Sequence, residues 1–218
     1  SISAFARSAA GARLRLRDGE PVAEEIADLV GRGVELVFVQ DDLFILPDER
    51  AAVRRLDALG QALDHRGVGR VGFWIKGRPD SITPAVLEAA RRLGAIHLFL
   101  GVESAVAERL AYLGRTHSPD DARRALELCR EQGVHPSFNL MLFDPESTLE
   151  QIAVTVDFAA ATAELPWNVC RTEIYPGTEL FGRLARAGRL LGDHRSYGYV
   201  MTDPRAELAF RLLRVSLH

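Results

Sequence analysis

The chain has 218 residues and a mass of 24.0 kDa. With 47% hydrophobic and 26% charged residues it has the balance of an ordinary globular domain, which excludes disordered, collagenous and disulfide-scaffold classes. A chain of this length buries roughly 70% of its unfolded surface, enough for one α/β domain or two small ones without a covalent staple. Its 27 basic and 30 acidic residues leave a formal charge of −3. No run of like charge is long enough to grip nucleic acid or an anionic membrane, so neither is expected as a partner.

Cys129 and Cys170 lie in apolar stretches without C-x-x-C spacing, which reads as two buried free thiols in a reducing, cytoplasmic compartment. No apolar run approaches the roughly 20 residues of a membrane span. The opening Ser1-Ile-Ser-Ala-Phe-Ala-Arg-Ser lacks an initiator Met and an apolar targeting region, as expected of an excised domain. Lysine occurs once, at Lys76.

In chain order, Ile26, Leu29 and Val30 fall at helical spacing, followed by the β-rich run Gly33-Val-Glu-Leu-Val-Phe38. Val53, Leu56, Leu59 and Leu63 mark a second helix and Val71–Lys76 a second strand. Val86, Leu87, Ala90 and Leu93 mark a third helix, ahead of Gly94-Ala-Ile-His-Leu-Phe99. Ser118-Pro119-Asp120-Asp121 supplies a cap, a first-turn proline and a first-turn carboxylate, so a helix is expected to run to about Glu131. Gly133-Val-His-Pro-Ser-Phe138 repeats the pattern, and Trp167–Tyr175 is a last β-like run. In the repeat, each glycine is the left-handed residue that ends a helix.

Strands near residues 36, 73, 98, 138 and 171 separated by helices imply successive βα units, a parallel sheet and right-handed crossovers. An open doubly wound sheet and a (β/α) barrel both satisfy this. The strand ends favour a barrel, whose site is assembled from the C-terminal ends of many strands. Gln40-Asp41-Asp42, Lys76 to Asp80, Gly101-Val102-Glu103-Ser104, Asn139 to Asp144 and Arg171 to Thr178 are all polar. A full barrel usually needs about 250 residues, so the expectation is an α/β partial (β/α)6 TIM-like barrel of parallel strands over residues 1–182. Its first strand is expected upstream, and residues 183–218 form a C-terminal extension packed on it, where Tyr197 or Tyr199 could touch substrate.

A rim that gathers Asp41, Asp42, Glu103 and Asp144 with Arg78 and Arg171 suits a zwitterionic, ribose-bearing ligand. Carboxylates accept from an ammonium and a diol, and a guanidinium fork pairs with a carboxylate. No glycine-rich phosphate turn follows any strand. Singly, each residue has a local reading: Asp42 as a turn cap, Ser104 as an N-cap, Arg78 paired with Asp80. His65, His97, His117, His135, His194 and His218 lack metal-ligand spacing and read as surface or cap residues, so no metal site is expected from the residues present. No nucleophile elbow or Cys/His pair supports hydrolysis.

Phe38-Val-Gln-Asp-Asp-Leu-Phe44, Gly77-Arg-Pro-Asp-Ser-Ile82, Leu100-Gly-Val-Glu-Ser104, Met141-Leu-Phe-Asp-Pro-Glu-Ser-Thr148 and Tyr175-Pro-Gly-Thr-Glu-Leu180 together resemble, in order and spacing, the radical S-adenosylmethionine (radical SAM) superfamily. The branch with an upstream cobalamin-binding domain is the most similar. The resemblance implies S-adenosylmethionine and a four-iron four-sulfur cluster as cofactors, with cobalamin in that branch. The C-x-x-x-C-x-x-C segment that holds the cluster is not in this sequence, and a cysteine is expected immediately before Ser1. Asp41 and Asp42 would receive the methionyl ammonium and Arg78 the methionyl carboxylate. Glu103 and Ser104 would hold the ribose, while Asn139, Met141 and Phe143 would meet adenine. This chain has Phe143-Asp144-Pro145 where many relatives have Gly-x-Pro.

Asp144, Arg171 and Tyr175 are the candidate catalytic residues, the last two on the substrate side. Phe38, Trp74, Phe99, Phe138 and Met141 are candidates for an apolar lining, though each reads first as ordinary barrel core. The implied activity is cobalamin-dependent C-methylation of a small metabolite or natural-product intermediate through a 5′-deoxyadenosyl radical, fed by an electron donor such as flavodoxin or ferredoxin. Alternatives are a cobalamin-independent methylthiotransferase, dehydrogenase or deoxygenase, and a cluster-less barrel serving as a binding module.

Overall fold

The computed structural model describes residues 16–41 and 43–216; Asp42, the opening residues and His218 lie outside the described part. Among the described residues, α1 (Gly19–Gly31) leads into β1 (Leu36–Phe38), α2 (Glu49–His65) into β2 (Gly72–Gly77), and α3 (Pro84–Leu93) into β3 (Ala95–Glu103). The short α4 (Ala107–Tyr112) and α5 (Pro119–Glu131) precede β4 (His135–Phe143), and α6 (Leu149–Ala161) precedes β5 (Trp167–Arg171). After α7 (Glu179–Arg186) come β6 (Leu190–Asp193), β7 (Ser196–Tyr199) and α8 (Pro204–Ser216). No described helix is long and apolar enough to cross a membrane.

The sheet order is β1-β2-β3-β4-β5, with β1 to β4 paired in parallel. An order that never reverses has no switch point of the doubly wound kind, and the fold is a partial (β/α) barrel. The repeat glycines Gly33, Gly94 and Gly133 have φ of 92°, 101° and 70°. Gly94 is the most constrained, since a Cβ there would lie 2.6 Å from Val71 O. The cap before α5 is complete: Ser118 Oγ accepts from Asp121 N and Asp121 returns a bond to Ser118 N, satisfying two of the orphan donors of the first turn.

The described chain forms two compact units. In residues 17–140 with 159–168, the strands alternate in burial with period two. Phe73, Ile75, Leu98, Leu100, Phe138 and Leu140 are at most 1% exposed, while Trp74, Lys76, Phe99 and Asn139 on the opposite face are half-buried. Helices α2, α3 and α5 each bury one apolar stripe, including Leu56, Leu59, Val86, Leu87 and Leu126, and each such side chain contributes about 1.5–3 kcal/mol.

The other unit, residues 141–158 with 169–216, centres on Leu142, Phe143, Ile152, Ile174, Leu184, Tyr199, Met201 and Ala206. The antiparallel β6–β7 hairpin and α8 were not separate elements in the sequence reading. Trp167–Tyr175 is expected as one strand, but β5 ends at Arg171; Thr172 N makes a last bond to Phe143 O at 2.8 Å. Cys129 is buried as expected, whereas Cys170 is only half-buried.

Candidate functional site

The most unusual backbone in the described chain lies at the end of β3. Glu103 has φ 65°, the single non-glycine residue with positive φ among those described. Ser104 N donates to Val102 O at 2.7 Å, closing a γ-turn centred on Glu103; with positive φ at the central residue this is the rarer, strained form. The register with β4 slips at the same place, from Leu100 opposite Phe138 to Glu103 opposite Leu140, so the turn is part of a bulge that re-aims the side chain. A non-glycine residue held there costs on the order of 1–3 kcal/mol, and such strain concentrates at functional sites.

The Glu103 carboxylate is 6% exposed as a residue and is held by two donors. Arg115 Nη2 lies 2.7 Å from Oε1, and Asn139 Nδ2 donates to Oε2 at 3.0 Å. A buried carboxylate needs such partners. Gly101 makes room for it, since a Cβ there would come within 3.3 Å of Oε1. Asn139 Oδ1 is buried with no partner, an acceptor that stabilises the protein only when a donor reaches it. The pair thus presents carboxylate lone pairs beside an unmatched amide oxygen, which fits a ligand carrying neighbouring hydroxyls and an N–H group. The adenosyl end of S-adenosylmethionine is of that type.

Other expected cofactor contacts are spent locally. Arg78 Nε donates to Asp80 Oδ1 at 3.0 Å and Nη2 bonds both Asp80 and Thr116, the local reading of that residue. Ser104 Oγ accepts from Val106 N, and Asp41 Oδ1 accepts from Leu43 N with Arg55 Nη2 3.8 Å from Oδ2. On the face opposite the core, the exposed Phe38 stacks on the half-buried Trp74 at 4.5 Å, and Trp74 lies 4.2 Å from the His97 ring. Lys76 Nζ donates to Gln40 Oε1 at 3.2 Å. Phe138 is not a lining residue, because alternation puts it on the opposite, fully buried face.

Two histidines also depart from the surface expectation. His97 bonds Ser137 Oγ at 2.6 Å, and its pKa is lowered by burial and then by His135. His117 is 5% exposed, with Nε2 3.1 Å from Val102 O. Neither Arg115 nor His117, the latter read as a surface or cap residue, stands out in the sequence as lying beside this site, because they sit between two helices, where no strand-end pattern marks them.

In the other unit, Asp144 is fully buried. Its Oδ1 accepts from Glu146 N at 2.8 Å and its Oδ2 from Ser147 Oγ at 2.7 Å, a local turn rather than an open carboxylate. Arg171 is placed between aromatic rings, with its guanidinium carbon 4.1 Å from the Tyr199 ring and 4.0 Å from the Phe210 ring. It also bonds Tyr199 O and Glu207. These contacts clamp the C-terminal hairpin and helix. Tyr199 likewise spends its hydroxyl on Phe143 O at 2.8 Å. Phe143 packs within this core, 3% exposed, and Met141 is half-buried. Tyr175 donates to Glu173, which, followed by burial, raises its pKa.

No group of three or more His, Cys, Asp or Glu among the described residues could hold a metal. The Cys129 thiol is pushed up to about 12 by burial and is no thiolate donor near neutrality. The described residues therefore do not fit an iron–sulfur cluster.

Comparison with known proteins adds the following. The profile of the radical SAM superfamily matches residues 5–159. An uncharacterised methyltransferase of Pyrococcus horikoshii is 26% identical over 202 residues, 91% of this chain and 42% of that protein. The cobalamin-dependent S-adenosylmethionine radical enzyme OxsB, solved with aqua-cobalamin and S-adenosylmethionine, superposes with a TM-score of 0.76 at 17% identity, covering 92% of this chain and 37% of that one. The radical SAM methyltransferase TsrM of Kitasatospora setae, solved with cobalamin and a 4Fe-4S cluster, gives 0.72 at 19%, covering 86% and 36%. The chain thus spans about two fifths of the length of these relatives.

Proposed function

The chain belongs to the radical SAM superfamily, whose members use S-adenosylmethionine and a 4Fe-4S cluster, and we propose that it is the S-adenosylmethionine-binding part of a cobalamin-dependent C-methyltransferase acting on a small molecule. The observation behind this reading is the strained Glu103 with its carboxylate beside the unmatched Asn139 Oδ1, on a fold similar to enzymes solved with cobalamin. The methyltransferase relative supports the reaction class.

When bound, S-adenosylmethionine and the cluster would supply hydrogen-atom abstraction from an unactivated C–H bond, and cobalamin would supply the methyl group. Glu103 accepts from both ribose hydroxyls, since a carboxylate has lone pairs for a diol in addition to its protein donors. Arg115 orients the carboxylate, and Asn139 Oδ1 takes an N–H from the base. Asp41 would meet the methionyl ammonium. The stacked Phe38 and Trp74 would offer an apolar surface beside Lys76 on that face. The thiolates are expected in sequence ahead of this chain, together with a cobalamin-binding domain and a site for an electron donor such as flavodoxin or ferredoxin.

The test is anaerobic reconstitution of the full-length protein, measuring iron, sulfide, visible absorption and 5′-deoxyadenosine release. Four irons and four sulfides per chain with release of 5′-deoxyadenosine are expected. A reconstituted protein that binds no S-adenosylmethionine would overturn the reading.

A further inference from the structure

The connection from α4 to α5 bonds the site-bearing strand ends through three consecutive residues. Arg115 reaches the Glu103 carboxylate. Thr116 Oγ1 donates to Asp80 at 3.1 Å and accepts from Arg78. His117 donates from Nε2 to Val102 O at 3.1 Å. That carbonyl is the same one that closes the γ-turn around Glu103 by accepting from Ser104 N.

We infer that His117 is a positioning residue: its imidazole anchors the Val102 carbonyl and thereby holds Glu103 in the left-handed conformation that aims its carboxylate at the ligand. This rests on the proposed role of Glu103 toward ribose. The physical basis is a competition. Left alone, a glutamate relaxes from φ 65° to negative φ, which swings Cβ and the carboxylate away. Opposing that relaxation requires fixing the peptide before Glu103, and Val102 O is the group through which neighbouring structure can do so. The Ser104 bond is internal to the turn and moves with it, whereas His117 belongs to a separate segment anchored at its far end by the capping box of α5. His117 is buried, so the bond is shielded from competing water. Nothing about its place suggests direct contact with a ligand; it acts through Val102.

The experiment compares affinities of the full-length protein for S-adenosyl-L-homocysteine and its 2′-deoxyribose counterpart by calorimetry, in wild type, Glu103→Ala, His117→Phe and His117→Gln. Circular dichroism confirms folding. Wild type should favour the ribose ligand by about tenfold, the effect of one unmet polar contact. Glu103→Ala should abolish the preference and His117→Phe, which keeps bulk but donates nothing, should lower it nearly as far. His117→Gln, which restores an N–H donor, should return it to within about threefold of wild type. If His117→Phe does not fold, His117→Asn, with an amide too short to reach, takes its place with the same expectation. A folded Phe or Asn variant that keeps the wild-type ratio, or a Gln variant as defective as they are, overturns the inference while the Glu103 reading stands. A wild type with no ribose preference overturns that reading and this inference with it.

Discussion

Asn139 Nδ2 donates to Glu103 Oε2 at 3.0 Å across 36 residues of sequence, joining the end of β3 to the middle of β4 in one polar pair whose remaining amide oxygen faces no protein donor. Only the pairing of β3 with β4 creates this arrangement.

Removing the carboxylate should therefore cost binding. Glu103→Ala is expected to weaken S-adenosylmethionine affinity by about 1–3 kcal/mol, through the partner groups left unpaired. Glu103→Gly loses the same carboxylate but relaxes the backbone, so it should be more stable than the Ala variant by about 1 kcal/mol. Chemical denaturation of the two side by side reads the strain directly, and equal stabilities would mean that φ 65° costs nothing here.

Gly94 ends α3 at φ 101° with space denied by Val71 O. Gly94→Ala combines a disfavoured φ with a 2.6 Å approach to backbone, and is expected to destabilise the protein by roughly 2–4 kcal/mol. A urea midpoint unchanged from wild type would show that the α3–β3 connection gives way freely.

Arg171 lies between the rings of Tyr199 and Phe210. Lysine keeps the charge but loses the flat guanidinium face, so Arg171→Lys should lower stability by about 1–2 kcal/mol. S-adenosylmethionine affinity should be untouched, because the residue clamps the C-terminal helix. Lost affinity in a variant of wild-type stability would return Arg171 to the ligand site.

Asp203 accepts from Leu149 N at the start of α6 and from Arg205 N at the start of α8. The first of these, then Arg205, holds its pKa down to about 2. A carboxyl of about 3.9 in the unfolded chain binds its proton first there. The stabilisation is thus fully present above pH 4 and is lost as pH falls toward 2. Asp203→Asn should be less stable than wild type at pH 7, with the gap narrowing across that window in thermal melts. A gap independent of pH would mean that charge contributes nothing at the two helix starts.

The α/β periodicity was legible because it is local. Apolar spacing named α2, α3 and the strands, Gly94 and Gly133 marked where helices end, and Ser118 announced a cap that the structure contains in full. The polar strand ends pointed to Glu103 and Asn139. The same logic also singled out Arg78, Asp144 and Arg171, and a charged residue at a strand end looks alike whether it faces a ligand or bonds Asp80, Ser147 or Glu207. It could not see Arg115 or His117, whose partners are distant in sequence and whose own short connection has no pattern.

Periodicity and turn residues by themselves determined a chain of βα units, and the ordered motifs at the strand ends carried the family resemblance, because those signals depend on neighbours within a few residues. Only the tertiary structure decided that Glu103 is strained, that Arg115 bonds its carboxylate and His117 the Val102 carbonyl beside it, and that Asp144 and Arg171 bond within their own unit. Burial, strain and hydrogen-bond partnership depend on which distant segments meet, and that is set by the packing of the whole domain.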